Sequence, residues 1–350
     1  MNKLYNSRDI LPKLASEKPN LFLVKYEFRK YYENVTSYIE VYNITVPANR
    51  KEKQEKVMLN FDYRRPESLD DALSLRKKWG GKSSLLMGGT DLFLAIEEEV
   101  RCPELLIDLK KIKELSTLEE RDGSIHIGAA VTYSELIRSE LVHEKLPGIW
   151  ESSRLVASVG IRNSATMAGN ICNAVPSAES AAPLMVRDAL IHMVSHNGKR
   201  SVPVVDFFTG PRRTVVKDDE IVTSISVPIV KGKFGESYVK LGRYRGEDIA
   251  QVATAVFVDG NLNYTIAYGA VGPVPMRIPG AEALLKGNKP TADLVERAKE
   301  EMLNTVSPIG DIRASREYRI HMCAVMFEKA VEAAYGRMEK GTPAYGTRLI

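Results

Sequence analysis

The segment that most constrains this 350-residue chain is residues 154–188, where small and short polar residues follow one another between apolar flanks. Glycine exposes main-chain N–H groups, and short side chains leave room, so such a loop can press against a phosphate or a flat polar molecule. The residues concerned are Thr166, Gly169, Asn170, Asn173, Pro176 and Ser177. The segment therefore predicts a binding loop.

A second loop of this kind lies about eighty positions upstream. In residues 85–92 an apolar run stops at Gly88-Gly89 and is followed by Thr90 and Asp91. Either loop alone is equally consistent with a tight turn at the end of a strand. Together they predict one extended ligand that is held from two sides.

Composition and charge narrow the class of protein. The chain is 44% hydrophobic and 27% charged, as in an ordinary globular protein. It has no apolar run of about 18 residues, so we expect no transmembrane helix. The first residues lack the apolar core of a secretory signal, so we expect a cytoplasmic protein. The net charge of +4 lies in residues 1–57, with 11 Lys and Arg against 7 Asp and Glu, and the neutral remainder argues against nucleic-acid binding.

Cysteine and histidine spacing gives no metal-binding pattern. Cys102, Cys172 and Cys323 are far apart and form no CxxC pair, so we expect neither a disulfide framework nor an iron–sulfur centre made by this chain alone. His192 and His196 have the i,i+4 spacing of a helical zinc site. They fall in a predicted strand and its turn, which argues against zinc.

The order of apolar and turn residues predicts several units along the chain. Residues 1–57 end in a charge run and form an extension of unknown role. We predict α/β units at 58–115 and 116–232, a further domain at 233–340 and a tail at 341–350. The predicted helices lie at 69–79 (capped by Ser68), from Thr132, at 279–286, 291–303 and 315–335, and the predicted strands at 84–87, 105–108, 124–128, 189–195, 200–205, 220–228, 236–241, 250–259 and 262–269.

An ordered series of motifs resembles one known family. The series comprises Phe61-x-Tyr63-x-x-Pro66-x-Ser68-Leu69, Gly88-Gly89-Thr90-Asp91-Leu92, Ile161-Arg162-Asn163-x-Ala165-Thr166-x-x-Gly169-Asn170-Ile171, Asp206-Phe207-Phe208-x-Gly210, Arg212-x-Thr214, Lys240, Asp248-Ile249-Ala250, Gly269-Ala270-Val271 and Pro308-x-x-Asp311-x-Arg313. From about 58 to 340 the chain resembles the FAD-binding (medium) subunit of the molybdenum hydroxylases, the family of xanthine dehydrogenase and carbon monoxide dehydrogenase.

The resemblance implies a fold and a role. The implied fold is α+β, with an FAD-binding domain of the vanillyl-alcohol oxidase and p-cresol methylhydroxylase type, made of two α/β subdomains, and a smaller C-terminal domain of antiparallel strands and helices. The implied partners are an iron–sulfur subunit with two [2Fe-2S] clusters and a large molybdopterin-binding subunit, where substrate is oxidised. Electrons would pass through FAD on this chain to NAD, ferredoxin, quinone or oxygen.

The resemblance also implies a set of cofactor-binding residues and no catalytic residue or metal ligand on this chain. The set is Leu85, Leu86, Met87, Gly88, Gly89, Thr90, Asp91, Leu92, Thr166, Met167, Ala168, Gly169, Asn170, Asn173, Ser177, Glu179, Arg212, Val222 and Lys240. Residues 87–91 and 166–170 would hold the pyrophosphate and its adjoining ribose. Arg212 and Lys240 would be cations near the isoalloxazine, and Val222 would pack on the ring.

Two positions depart from the family pattern. Glu179 stands where Asp is common; it would accept hydrogen bonds from the ribose or adenine end, or else cap a helix at 180–188. Ala168 stands where glycine is usual, which would weaken the ability of the loop to take a positive φ. Cys172, inside the second loop, is interpreted as a small buried hydrophobe.

Two other functions remain open at this point. The chain could be a free-standing flavin oxidoreductase of the same fold, which would need an acid–base His or Tyr at the flavin, and the sequence indicates none. Covalent flavin attachment would then have Cys172 as its one candidate. The chain could also be a flavin-fold scaffold without catalysis, against which the intact second loop argues.

Overall fold

A parallel sheet of three short strands begins the part of the chain that the structure describes. The structure is a computed structural model, and it describes residues 61–244 and 247–341. The strands are β1 (Asp62–Arg64), β2 (Ser83–Leu86) and β3 (Leu105–Asp108), in the order β1-β3-β2, with helices α1 (Leu69–Trp79) and α2 (Leu92–Glu97) between them. The predicted extension at 1–57 lies outside the described residues, as does the predicted tail beyond Gly341.

An antiparallel sheet of five strands follows, in the order β4-β5-β10-β6-β7. Its strands are β4 (Leu118–Arg121), β5 (Ser124–Gly128), β6 (Leu190–Ser195), β7 (Gly198–Pro203) and β10 (Ile221–Pro228), and a separate hairpin pairs β8 (Phe208–Gly210) with β9 (Arg213–Thr214). The helices inserted between β5 and β6 are α3 (Tyr133–Arg138), α4 (Glu140–Lys145), α5 (Pro147–Arg154), α6 (Val159–Arg162), α7 (Met167–Asn173) and α8 (Ala181–Val186). They share one apolar core with the sheet.

The last third of the described chain is a four-stranded antiparallel sheet with three helices. The strands are β11 (Phe234–Leu241), β12 (Val252–Asp259), β13 (Tyr264–Gly269) and β14 (Met276–Arg277), paired in sequence order. The helices are α9 (Pro279–Leu285), α10 (Ala292–Thr305) and α11 (Arg316–Lys340). Their apolar faces form a second core with the sheet.

Buried ion pairs join the helical layer of the first core to the last sheet and helix. Arg337 near the end of α11 holds Glu151 of α5 through two bonds, Nη2 to Oε1 at 2.8 Å and Nη1 to Oε2 at 3.1 Å. Arg187 pairs with Glu236 of β11, and both side chains are almost completely buried. Because a buried charge is costly without its partner, these pairs fix how α5 meets α11 and how the end of α8 meets β11.

Most helices and strands lie where local sequence signals predicted them. Helix α1 begins after Ser68, whose hydroxyl accepts from Asp71 N at 3.1 Å, as predicted. Helix α3 has a complete capping box between Thr132 and Glu135. The predicted strand at 84–87 lies one residue earlier, so Met87 belongs to the following loop. Helix α11 runs past the predicted end at 335 to Lys340, because Gly341 supplies the left-handed cap at φ +65°.

One further difference concerns α8. The predicted helix at 180–188 is shorter and spans only Ala181–Val186. It ends because Asp188 takes a left-handed φ of 49°, which turns the chain into β6.

Within the described residues, none of the helices has the length and apolar character needed to cross a bilayer.

Candidate cofactor site

A cavity of about 970 Å³ lies where the two predicted binding loops face the β8–β9 hairpin. Its walls come from the loop between β2 and α2, from the loop before α7 and α7 itself, from the segment 173–179, and from residues 247–249. A volume near 1,000 Å³ is at the upper end of small-molecule sites, so it suits a large ligand.

The two loops touch each other through their backbones at Gly88. A Cβ at this position would lie 2.2 Å from Ser164 O and 2.8 Å from Ala165 Cα, so only glycine allows the approach. Gly89 has φ +74°, and a Cβ there would meet the ring of Phe93 at 2.7 Å. Both glycines are therefore required by the geometry, and they place the two loops side by side on one wall of the cavity.

The second loop is fixed by its own cap and by α3. Thr166 is the N-cap of α7, and its Oγ1 accepts a hydrogen bond from Gly169 N at 3.0 Å. Tyr133 N donates to Ala165 O at 3.0 Å, which ties the loop to the start of α3. Ala168 lies inside α7 and has no positive φ, so alanine at this position does not strain the loop.

The segment after α7 is held by backbone bonds from distant parts of the chain. Ala174 ends α7 in a left-handed conformation, φ 50°, and its carbonyl accepts from Arg212 N at 2.8 Å. Arg212 Nη1 also donates to Asn173 Oδ1 at 3.3 Å. Ala270 N donates to Pro176 O at 2.7 Å. The wall at 173–179 is thus set by the hairpin on one side and by β13 on the other.

A buried carboxylate is connected to the first loop through a neighbouring lysine. Asp108, at the end of β3, is only 2% exposed and accepts from Tyr63 OH at 2.5 Å and from Lys110 N at 3.0 Å. Lys110 Nζ lies 3.1 Å from Asp108 Oδ2 and donates to Met87 O at 3.3 Å. Burial alone would raise the pKa of Asp108, but the bonds from Tyr63 and Lys110 together hold that pKa below its ordinary 3.8.

Replacing Tyr63 with phenylalanine is expected to lower stability in a pH-dependent way. A carboxylate with a depressed folded-state pKa stabilises fully above its unfolded pKa and loses this contribution as the pH falls through the folded value. Tyr63→Phe should therefore cost about 1 kcal/mol near neutral pH and progressively less toward about pH 2. Urea unfolding at both pH values measures this. Tyr318→Phe, at a tyrosine of similar exposure (46% against 47%), is the control, and an unchanged deficit at low pH contradicts the assignment.

Comparison with known proteins decides the family. The chain matches the model described as FAD binding domain in molybdopterin dehydrogenase over residues 59–230, and that of the CO dehydrogenase flavoprotein C-terminal domain over 237–334. It is 32% identical to the xanthine dehydrogenase FAD-binding subunit of Escherichia coli O157:H7, over 81% of this chain and all of that one. The chain belongs to the FAD-binding medium subunits of the molybdenum hydroxylases. The resemblance read from the motifs is confirmed.

Other relatives and solved structures agree with this family. The carbon monoxide dehydrogenase medium chain of Hydrogenophaga pseudoflava is 31% identical over 79% of this chain and 98% of that one. The structure of carbon monoxide dehydrogenase from the same organism, lacking the Mo-pyranopterin moiety, superposes with a TM-score of 0.77 at 31% identity, over 80% and 98% of the two chains. Quinoline 2-oxidoreductase of Pseudomonas putida 86 gives 0.75 at 25% identity, over 79% and 98%. The mixed helix-and-sheet fold is therefore that of a medium subunit.

Most residues predicted for the cofactor lie together on the cavity wall. Those lining it are Leu85, Met87, Gly88, Gly89, Thr90, Asp91, Leu92, Thr166, Ala168, Gly169, Asn170, Asn173, Ser177, Glu179, Arg212 and Val222. Leu86 and Met167 do not line it, because their side chains are 3% and 0% exposed within the protein core. Lys240 does not line it either, and its ammonium group lies behind Glu179.

The structure also places residues at the cavity that the sequence reading gave no role. These are chiefly Arg76, Arg101, Lys217 and Asp218 beyond the first loop, Tyr133 and Val175 near the second, Thr209, Arg213 and Thr214 in the hairpin, and Glu247, Asp248 and Ile249 in the segment after β11. Thr214, Asp248 and Ile249 belong to the motif series, so the signal for them was available. Arg76 and Arg101 carry no local signal, since they reach the cavity only through the packing of α1 and of the loop after α2.

The environments of Cys172 and His192 are explained by ordinary packing and hydrogen bonding. Desolvation in the cavity wall raises the pKa of the Cys172 thiol to about 12, so the nucleophilic thiolate is suppressed near neutral pH. This weighs against covalent flavin attachment through that sulfur. His192 shares hydrogen bonds with Ser201 Oγ at 2.6 Å and Ser226 Oγ at 2.7 Å, both on neighbouring strands of its sheet.

Proposed function

We propose that this chain is the flavin subunit of a molybdenum-dependent hydroxylase or dehydrogenase complex. It binds FAD in the cavity and passes electrons from iron–sulfur clusters on a partner chain to an external acceptor. The observation that carries the proposal is the backbone contact between the two glycine loops at Gly88 and Ser164, in a chain of this family. Substrate oxidation belongs to a partner chain that holds molybdopterin.

The residues at the cavity fit an FAD molecule. Two adjacent loops with glycine-exposed amides and the hydroxyls of Thr90 and Thr166 can hold a diphosphate without a metal ion. Arg212 adds a cation on the far wall, and Val222, 6% exposed, offers an apolar surface for a ring. FAD supplies the exchange of one or two electrons between centres of different chemistry. The work of this chain is to bind the cofactor, orient it and exclude water from it.

The finer architecture is part of the same proposal. We assign residues 58–232 to an FAD-binding domain of the vanillyl-alcohol oxidase type, with subdomains at 58–115 and 116–232, and residues 233–340 to a C-terminal flavoprotein domain. Three clusters of buried apolar residues, one centred on each sheet, support this division, although one face of the four-stranded sheet also packs into the cluster of the five-stranded sheet. Partners are an iron–sulfur chain with two [2Fe-2S] clusters and a large molybdopterin chain, and we place the complex in the cytoplasm.

The flavin content of the purified chain tests the proposal. We expect about one FAD per chain, released on denaturation and measured by absorbance. Deletion of residues 1–57 is expected to leave this content unchanged, because the described residues that line the cavity form both loops and the hairpin, and all of them follow position 75. A colourless chain that takes up no added FAD would support the scaffold reading, and a large loss of flavin in the deletion would show that the extension belongs to the site.

Isolation of the native complex tests the role in electron transfer. We expect an iron–sulfur chain and a molybdopterin chain to co-purify with this one. Flavin without either partner, in repeated preparations, would contradict the relay and leave FAD binding intact.

A further inference from the structure

Residues 247–251, which we call the rim segment, lead into β12 at the edge of the cavity. Glu247, Asp248 and Ile249 line the cavity. Asp248 fixes the local shape of the segment, because its carboxylate accepts hydrogen bonds from Arg243 N and, at 2.9 Å, from Ile249 N. The side chain of Ile249 is 48% exposed, so the rim segment offers an apolar contact to a molecule that fills the cavity.

The rim segment is attached to the rest of the chain at Gln251, which is only 3% exposed. Gln251 N donates to Leu241 O at 2.8 Å, where β11 ends and β12 begins. Gln251 O accepts from Arg319 Nη1 at 2.8 Å, and Gln251 Nε2 donates to Arg313 O at 3.2 Å. Two of these three bonds therefore come from the turn before α11 and from the first turn of α11 itself.

The carboxylate of Asp311 closes the turn before α11. It accepts from Arg313 N at 2.8 Å and from Ala314 N at 3.2 Å, and Asp311 N donates to Ala314 O at 3.0 Å. It also pairs with Arg319 Nη2 at 2.7 Å and with Arg313 Nη1 at 3.1 Å. Burial would raise the pKa of Asp311, but the bonds from Arg313 N and from the Arg319 guanidinium hold that pKa well below its ordinary value, so the group stays ionised.

Arg319 joins the rim segment to this turn through the two ends of one guanidinium group. Nη1 binds Gln251 O and Nη2 binds Asp311 Oδ1, and the residue is 4% exposed. Its Nε is buried and has no hydrogen-bond partner among the described residues. An unsatisfied buried donor is costly, and a lysine could pair with Asp311 without leaving one. The planar fork of an arginine, however, is what spans both partners.

We propose that Arg319 is a positioning residue for the cofactor cavity, since it ties the turn at 311–314 to Gln251 and thereby holds the rim segment against the bound flavin nucleotide. Neither Arg319 nor Asp311 lines the cavity, so both act on the ligand only through the rim segment. Asp311 and Arg313 belong to the motif series in the sequence, and this role explains their presence there. The role rests on the proposed FAD site.

A positioning role and a purely structural role differ in what a second substitution repairs. Removal of the Arg319 side chain leaves the Asp311 carboxylate without its buried cation, which destabilises the fold. Adding Asp311→Asn removes that charge, and the amide oxygen still accepts from Arg313 N and Ala314 N, so stability should return. The bond to Gln251 O stays missing. FAD binding should therefore remain weak in a variant whose stability has recovered.

A double-mutant cycle on the full chain tests the inference. The dissociation constant for FAD is read from flavin fluorescence during reconstitution of the deflavinated protein, and the midpoint of thermal unfolding is measured without flavin. Arg319→Lys is expected to bind FAD about fivefold more weakly than wild type, because one of the two bonds is lost. Arg319→Met should bind about tenfold more weakly and unfold at a lower temperature. With Asp311→Asn added, most of the midpoint should return while binding stays about tenfold weaker.

Arg313→Met is the matched control. It removes the other arginine from the same carboxylate, 3.1 Å to Asp311 Oδ2, and it keeps the backbone carbonyl that contacts Gln251. This variant should bind FAD within about twofold of wild type. Visible circular dichroism of the bound flavin gives a second readout, because it responds to the surroundings of the ring. The spectrum should change in Arg319→Lys and Arg319→Met and remain that of wild type in Arg313→Met.

The possible failures are distinguishable. If FAD affinity returns together with stability in the double variant, Arg319 is only structural, and the inference is wrong while the proposed function stands. Wild-type affinity and an unchanged flavin spectrum in Arg319→Lys, which keeps the charge and is expected to fold, would also contradict it. A folded wild-type chain that takes up no FAD overturns the proposed function and the role of Arg319 together.

Discussion

Gly88→Val is expected to abolish FAD uptake while the last sheet and its helices stay folded. The added Cβ would lie 2.2 Å from Ser164 O, and the atoms it meets are backbone, which cannot rotate out of the way. The two loops must therefore separate, and with them the amides that we propose to hold the diphosphate. Because the proposed site draws on both loops at once, we expect a shift of about an ångström to cost a hundredfold or more in binding.

A matched glycine change shows whether this effect is local. Gly336 lies inside α11, and a Cβ there meets no atom within 4 Å. Gly336→Ala should leave flavin content unchanged and raise stability by about 0.5–1 kcal/mol, because alanine favours a helix more than glycine does. Flavin content and circular dichroism of both variants make the comparison. Retention of normal flavin content in Gly88→Val would refute the paired-loop site.

Arg187→Met is expected to be strongly destabilising, although Arg187 lies outside the cavity. The Arg187 guanidinium pairs with Glu236, donates to Pro228 O at 2.6 Å, and lies 5.4 Å from the ring centres of Phe234 and Phe257. Its removal leaves the Glu236 carboxylate, 1% exposed, without a cation. Breaking a buried pair in this way costs about 3–5 kcal/mol in the free energy of unfolding.

Urea unfolding of three variants separates the lost pair from lost packing. Adding Glu236→Gln to Arg187→Met should recover a large part of the loss, because no buried charge remains and Gly148 N keeps its acceptor. Arg64→Met removes an exposed pair, 59% and 60% accessible, and should cost no more than about 1 kcal/mol. A double variant as unstable as Arg187→Met alone would show that packing on the two phenylalanines, not charge, explains the effect.

The sequence predicted local structure well because the signals for it are local. Ser68 before α1, the box of Thr132 and Glu135 before α3, and the turn Asn197-Gly198 between β6 and β7 each act over a few residues. The two binding loops were predicted for the same reason, since glycines that approach another backbone leave a recognisable pattern. Their pattern also predicted one ligand held from two sides, and both loops line the same cavity.

The sequence could not predict which side chains meet across the fold. Lys240 carried the family's flavin-contacting role, yet the packing of 176–179 on the sheet directs it to Glu179 instead of the cavity. Arg187 follows α8 and Glu236 lies in β11, 49 positions later, and nothing in their neighbours marks them as a pair. Contacts of this kind depend on strand register and on how closely the sheets and helices pack. Patterns in a single sequence do not specify either of these.

The link between Glu151 and Arg337 sets an order of events during synthesis. The two residues are 186 positions apart, and the cation is supplied near the end of the last helix. During synthesis on the ribosome, the Glu151 carboxylate of α5 has no cation to pair with until the chain has been made as far as Arg337. A product that ends before Arg337 would leave the buried Glu151 carboxylate without its cation, so we expect such a product to be less stable than the full chain.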